Sequence, residues 1–290
     1  MSLHEYLKRG IKYVLSGVPQ KNVTASIYTM PPNKLLENRI SLVTGGTSGI
    51  GLEIVKAFLK SGSLVIFTGR NKEKIEKTFD SIVKDNASFS EKLHGVLIDN
   101  LDVSSFNDKF QEVLSLIGKG HLDILVNNAG VLGGWFGASS ESEYDKVLDT
   151  NLKGTFFLSQ IVATYMKANG IRGNILNIAS SSSLRPASSA YTLSKWGIRG
   201  LTLGLAKTLI PYGIVVNGIA PGPTKTPMLV DKKEMNIMNN TPLGRYVMPE
   251  EIANMAVILV SDMGRSIVGD IIYMTGGAGL ITYDDLNYSF

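Results

Sequence analysis

"ISLVTGGTSGIGLEIVKAF", residues 40–58, decides the fold. Ile40, Leu42 and Val43 make a short apolar run of the kind that forms a buried strand. Gly45, Gly49 and Gly51 follow at once. Ile50, Ile54, Val55, Phe58 and Leu59 then recur at helical spacing, so a helix with one apolar face begins near Gly49. Strand, glycine turn and helix in this order make a seat for phosphate. Glycines let backbone N–H groups approach an anion with no side chain in the way, and the helix offers its positive end. Three glycines alone would describe any tight turn. The strand before and the amphipathic helix after give them weight.

Outward from this unit the chain keeps alternating. Apolar runs stand at 63–68 ("SLVIFT"), 95–98 ("GVLI"), 122–127 ("LDILVN"), 174–179 ("NILNIA"), 214–220 ("IVVNGIA") and 270–275 ("DIIYMT"). Segments of helical spacing separate most of them. Near-continuous Val, Ile and Leu marks strands covered on both faces. The expectation is an α/β fold of Rossmann type, a doubly wound parallel sheet of about seven strands with helices on both faces. In such a sheet ligands bind outside the carboxyl ends of the strands. Polar and glycine residues follow six of the strands here: Gly45–Gly51, Gly69-Arg70, Asp102, Asn127–Gly130, Ser180 and Pro221–Thr226. Six loops thus converge on one edge.

Residues 1–36 stand outside the alternation. Leu3, Leu7, Ile11, Val14 and Leu15 fit one helical face, and Gly17 and Pro19 stop it. They read as a helical extension and linker, either packed on their own domain or serving as an arm on a neighbouring subunit or a membrane surface. Residues 37–290 read as one domain, with a lid at about 224–245 and a tail at 279–290. Net charge is +4, from 29 basic and 25 acidic residues, which is too even and too scattered for nucleic acid. The absence of cysteine excludes disulfides, thiolate zinc sites and cysteine nucleophiles. His4, His94 and His121 lie far apart and form no metal-spaced motif; His121 reads as a loop residue. No apolar run approaches membrane-spanning length, so a soluble cytoplasmic protein is expected.

Tyr191 and Lys195 stand four apart, so on a helix they share a face. By itself this describes a tyrosine on a lysine stem. Its chemical use would be acid–base work. A carbonyl that accepts a hydride needs a proton on its oxygen, and a nearby ammonium eases the ionisation of a phenol that titrates near ~10. Gly197, Gly200 and Gly204 follow on the same predicted helix, each at a helix cost of about 1 kcal/mol against alanine. Close packing against that helix is expected.

Four motifs stand in order along the chain: Thr44-Gly45-x-x-x-Gly49-x-Gly51, Asn127-Asn128-Ala129-Gly130, Tyr191-x-x-x-Lys195 and Pro221-Gly222. In this order and spacing the chain resembles the short-chain dehydrogenase/reductase family, in its compact single-domain branch, over about residues 37 to 278. The resemblance implies an NAD(P)-dependent oxidoreductase of ketones or secondary alcohols, working as a homo-oligomer. It implies that Tyr191 moves the proton and that Ser180 orients the substrate oxygen. Lys195 would assist Tyr191 and hold the nicotinamide ribose, and Asn151 would hold a relay water. Ser180 lies eleven residues before Tyr191, a shorter interval than is usual in the family, and Ser181 and Ser182 stay as alternatives. The cofactor set implied is Gly45, Thr47, Ser48, Gly49, Ile50, Gly51, Arg70, Asp102, Val103, Asn128, Ala129, Gly130, Tyr191, Lys195, Pro221, Gly222, Thr224 and Thr226. Asp102 would sit beside the adenine, or else cap the helix near Ser104.

An acid about twenty residues past the glycines would select NAD(H). Gly69 holds that position and Arg70 follows, so NADP(H) is favoured over NAD(H), through pairing of the guanidinium with a 2′-phosphate. Two rivals remain: a nucleotide-binding sensor without turnover, and an epimerase or dehydratase on the same fold. The complete Asn-Ser-Tyr-Lys set argues against the first, and the glycine spacing and compact length against the second. Methionines of the lid and Gly133-Gly134-Trp135-Phe136 are candidates to face a small carbonyl or alcohol substrate.

Overall fold

The computed structural model describes residues 34–229 and 241–279. They form one sheet of seven parallel strands: β1 (Ile40–Val43), β2 (Leu64–Gly69), β3 (Leu93–Leu97), β4 (Ile124–Asn127), β5 (Asn174–Ile178), β6 (Val215–Pro221) and β7 (Ile271–Met274). The order across the sheet is β3-β2-β1-β4-β5-β6-β7. The chain runs outward from β1 to β3, then returns to β4 and runs the other way. The switch point lies between β1 and β4.

Seven α-helices connect or flank the strands: α1 (Gly49–Lys60), α2 (Lys72–Asp85), α3 (Phe106–Leu116), α4 (Glu141–Leu148), α5 (Gly154–Ala168), α6 (Ala190–Leu209) and α7 (Pro249–Val260). Successive strand residues point to opposite faces, and each face has its own helices. Val43, Phe67, Val126 and Ile178 pack with Ile54, Phe58 and Val257 of α1 and α7. Leu42, Ile66, Leu125 and Ile175 pack with Phe110, Leu158 and Ala206 of α3, α5 and α6. Both faces are covered at the centre of the sheet, which is why β1, β2, β4, β5 and β6 read as apolar runs, whereas the edge strand β3 is partly exposed.

Three details depart from the expectations. Strand β3 begins two residues earlier than the apolar run, because Leu93 and His94 pair with Val65 and Ile66. Leu36, placed in the extension by sequence, is fully buried in the core, and its N–H donates to the Ser61 carbonyl at 2.9 Å. The packed unit therefore starts before residue 37. Gly197, Gly200 and Gly204 are not alike: a Cβ on Gly197 would lie 2.6 Å from Leu152, whereas Gly200 and Gly204 face open space. The helix proposed for residues 3–15, lid residues 230–240 and the tail from 280 lie outside the described residues. His121 lies in a loop, paired with Asp123 at 3.1 Å.

Polar side chains also cross the sheet centre. Asn127 donates to Ser159 and to Asn177, each at 2.9 Å, and Asn177 donates to Thr202 at 2.9 Å. This network ties β4 and β5 to α5 and α6 directly beneath the carboxyl edge, and it fixes the orientation of α6.

Candidate active site

A cleft of about 760 Å³ opens along the carboxyl ends of the strands, across the switch point. Thr44 joins the two loops there. Its hydroxyl accepts hydrogen bonds from the Asn128 and Ala129 N–H groups at 2.9 and 3.0 Å. The Asn128 amide in turn donates to the Thr44 and Gly45 carbonyls. Gly45 and Gly49 have φ of +66° and +57°, the left-handed region that favours glycine. Gly45, Thr47, Ser48, Gly49 and Ile50 line the cleft. Gly51 does not; a Cβ there would lie 2.4 Å from the Gly45 carbonyl oxygen, so it serves the packing of the turn.

The start of α1 tests whether a dinucleotide fits. Ser48 makes no side-chain cap and no acidic residue stands in the first turn. The first-turn N–H groups, which have no partners within the helix, are thus left facing the cleft. An uncapped positive helix end inside a glycine-lined cleft suits a pyrophosphate.

At the adenosine end, a Cβ on Gly69 would lie 2.8 Å from the Thr47 methyl, so an acidic side chain at the position where NAD binders carry one would have to displace Thr47. Arg70 lines the cleft with Asn71 and Lys74; Lys74 escaped the sequence analysis. Beyond β3 the wall is Ile98, Asp99 and Asn100. Asp102 and Val103 lie outside this lining, and Asp102 instead accepts a hydrogen bond from Ser104. Beyond β3 the cleft is thus lined by Asp99 and Asn100, and not by Asp102 and Val103. Both polar atoms of the buried Asn100 amide, and the buried Thr150 hydroxyl, lack partners among the described residues, and both residues line the cleft.

The proposed catalytic side chains meet at the centre. Between α4 and α5 the helix widens into a π turn at Asp149–Lys153 that carries Asn151. Asn151 is buried behind the cleft wall. Its amide donates to the Val131 carbonyl and to the Ser194 hydroxyl, each at 3.0 Å, and its oxygen accepts from the Val131 N–H at 2.8 Å. Lys195 Nζ donates to the Ile178 carbonyl at 2.8 Å and stands 5.7 Å from the centre of the Tyr191 ring. Gly130 leaves room for both: a Cβ there would lie 3.3 Å from the Asn151 oxygen and 3.8 Å from Lys195 Nζ.

Ser180 caps a short 3-10 turn (Ser181–Leu184), accepting from the Ser182 N–H at 3.1 Å, and is hydrogen-bonded to the Tyr191 phenol. Ser181 and Ser182 also line the cleft, while Ser183 turns back to the Ser180 carbonyl at 2.7 Å. Burial pushes the Tyr191 phenol above its ordinary value, opposed by that Ser180 bond. Burial lowers Lys195 to about 8.

Tyr191 is positioned from the facing loop. Gly133 and Gly134 have φ of +135° and +74°. Their carbonyls accept the Tyr191 and Ala190 N–H groups at 3.3 and 2.8 Å. On the other side of the cleft stand Pro221, Gly222, Thr224 and Thr226, the last within 3.4 Å of a Cβ built on Gly49. Among the described residues no cluster of acidic or histidine side chains could hold a metal ion, and no helix is long and apolar enough to cross a membrane.

Residues 39–237 match the family model for short chain dehydrogenase. The chain is 34% identical over 255 residues to a 3-oxoacyl-[acyl-carrier-protein] reductase of Aquifex aeolicus, covering 83% of this chain and 98% of that one. It is 35% identical over 252 residues to a 3alpha-hydroxysteroid dehydrogenase of Mediterraneibacter gnavus, covering 84% and 98%. Among solved structures, a 3-ketoacyl-(acyl-carrier-protein) reductase of Brucella melitensis complexed with NADH superposes with a TM-score of 0.75 at 28% identity, covering 84% and 100%.

Proposed function

From a chain that belongs to the short-chain dehydrogenase/reductase family, we propose a carbonyl reductase in which Tyr191 is the general acid/base, with NADP(H) favoured. Family membership makes it an NAD(P)-dependent oxidoreductase acting on C=O or CH–OH groups. The observation that carries the catalytic reading is the meeting of Ser180, Tyr191 and Lys195 in one cleft, with Asn151 bonded behind them.

The nicotinamide supplies or takes up the hydride when bound. The protein handles the oxygen and the proton. Ser180 donates to the carbonyl oxygen as charge develops there. Tyr191 delivers its proton to the same oxygen. Lys195, protonated below about pH 8, stabilises the phenolate that remains. The Asn151 bonds to Val131 and to Ser194, three residues past Tyr191, hold the π turn against α6. The backbone and hydroxyls of the α1 start would hold the pyrophosphate. Asp99 and Asn100 would lie toward the adenine, and Arg70 and Lys74 would supply the charge a 2′-phosphate needs.

Loss of NADPH absorbance with a panel of ketones tests this reading. Tyr191→Phe is expected to lower kcat by a factor of about 10²–10⁴ while NADPH binding persists. Retained turnover in that variant would overturn the role of Tyr191. Tight NADPH binding without turnover on any carbonyl would favour the sensor. We further read residues 1–33 as an extension, 224–245 as the lid, the exposed face of α5 and α6 as a subunit contact, and the protein as cytoplasmic.

A further inference from the structure

We propose that Arg185 selects carbonyl substrates that carry a carboxylate at the far end of an apolar body. This rests on the catalytic reading of Ser180, Tyr191 and Lys195, and adds the substrate class.

The charges lining the cleft are uneven. Arg70, Lys74 and Asp99 belong to the adenosine end, and Lys195 is buried at the centre. Among the described residues Arg185 is the cation that lines the remaining half, and no acidic side chain of theirs lines its wall. Among the described residues it forms no ion pair and its guanidinium donates no hydrogen bond. The rest of this half is largely apolar: Leu132, Trp135, Pro186, Met228 and Leu229.

The arginine is presented from a fixed backbone. Its N–H donates to the Ser182 carbonyl at 3.2 Å, closing the turn that Ser180 begins. Its carbonyl accepts the Trp196 indole N–H at 2.8 Å, which fastens it to α6 one residue past Lys195. The guanidinium lies beside the backbone of Gly279, where a built Cβ would be 3.4 Å from Nε and Nη2. Across the mouth, Trp135 forms an antiparallel bridge with Ser189, and Phe136 N–H donates to the Ser188 carbonyl at 3.0 Å. The apolar wall and the loop carrying Arg185 are thus one fastened unit.

A planar guanidinium whose donors are unused among the described residues matches a carboxylate with two parallel hydrogen bonds. The helix end that would receive the cofactor phosphates is at α1, on the other side of the switch point, so the cofactor phosphates do not call on this charge. The apolar wall lets a hydrocarbon or aryl body span the distance from Ser180 and Tyr191 to the arginine.

The test uses benzoylpropanoate and benzoylbutanoate, their methyl esters and the matching phosphonates as substrates with NADPH. The wild-type enzyme should favour acid over ester by tenfold or more in kcat/KM, mainly through KM. Arg185→Met should collapse that ratio toward one, and Arg185→Lys should restore part of it. Phosphonates that outperform carboxylates would overturn the carboxylate assignment. Equal acid and ester rates in the wild type, or equal losses on both in Arg185→Met, would overturn the role of Arg185 while leaving the catalytic reading standing. Absence of turnover on acids, esters and simple ketones alike would instead defeat the catalytic reading itself.

Discussion

At Lys195 the chemistry conflicts with stability. A buried ammonium is costly, and burial lowers its pKa from 10.5 to about 8. In the unfolded chain the same group keeps its proton to near ~10.4. Between these values the unfolded state binds more protons, so this group's contribution to stability rises with pH across the window and is unfavourable below it. Lys195→Met should therefore raise the unfolding midpoint at pH 7, and the gain should shrink as pH approaches 10. A gain that stays constant with pH would contradict it. Tyr191 acts oppositely: its raised pKa favours the fold below about 10 and that contribution is lost at higher pH. Reduction needs phenol and ammonium together, so kcat/KM for a ketone should fall as pH rises through about 8. A profile flat to pH 10 would remove Lys195 from the proposed chemistry. Cofactor choice is also decided by single residues. Arg70→Ala should weaken NADPH binding about tenfold and leave NADH binding little changed. Gly69→Asp alone should weaken both, because Thr47 occupies the space, and pairing it with Thr47→Gly should turn the preference to NADH. Titration of the two cofactors by fluorescence reads all three variants. Sequence showed Gly69 and Arg70 because they stand at the end of an apolar run. It could not show Lys74, which lines the cleft from the first turn of α2, and it named Asp102 where the cleft lining holds Asp99 and Asn100. The strand end decides that choice: Leu97 pairs with Gly69, so the cleft wall falls at residues 98–100.

The elements were legible to differing degrees. Strands covered on both faces announce themselves, and the switch from strand to helix at Gly45–Gly51 sits where the sequence put it. The π turn was not legible, because Glu141–Ala168 keeps helical composition throughout and the widening depends on the distant Val131 backbone. The Gly133-Gly134 turn was legible only as a pocket candidate. Its tighter function is to meet the start of α6. A Cβ on Gly134 would lie 2.4 Å from the Ala190 Cβ, at a φ of +74°. Gly134→Val should displace Ala190 and Tyr191 together and lower kcat by about 10²-fold, the scale of a misplacement near 1 Å. Gly137 is the control. Its φ is +85° but nothing lies within 4 Å of its Cβ position, so Gly137→Ala should cost only backbone strain, about 1–2 kcal/mol, and leave kcat in place. Thermal unfolding beside steady-state rates separates the two; equal kcat losses would mean that the loop is strained as a whole and does not position Tyr191 through this contact.

Across the whole molecule, one apolar region has no partner among the described residues. Phe156 and Phe157 on α5, and Leu193, Trp196 and Leu203 on α6, are each 37% to 48% exposed. Side chains of this size on adjoining helices exceed what a free surface usually carries. The glycines support the same conclusion. Gly197 is explained by Leu152 of the same chain, but Gly200 and Gly204 keep α6 thin where none of the described residues approaches. An unoccupied glycine in a helix interior lowers stability by about 1 kcal/mol against alanine, so its presence calls for a neighbour that the described residues do not supply. A second copy of α6 fits, since small residues let two helices come close. Gly204→Arg separates the explanations cleanly, because its side chain meets open space in one chain and only a neighbour would be displaced. The wild type should sediment as a multiple of 31.4 kDa, and Gly204→Arg should shift it to the single-chain mass without lowering the stability of the monomer. An unchanged multiple, or a wild type already at the single-chain mass, would rule this face out as the contact. Trp196 connects the question to the chemistry: half-exposed on this face, its indole also holds the Arg185 carbonyl. The dissociated variant should therefore lose more kcat/KM on the oxo acids than on their esters, a difference that weakened cofactor binding alone would not produce.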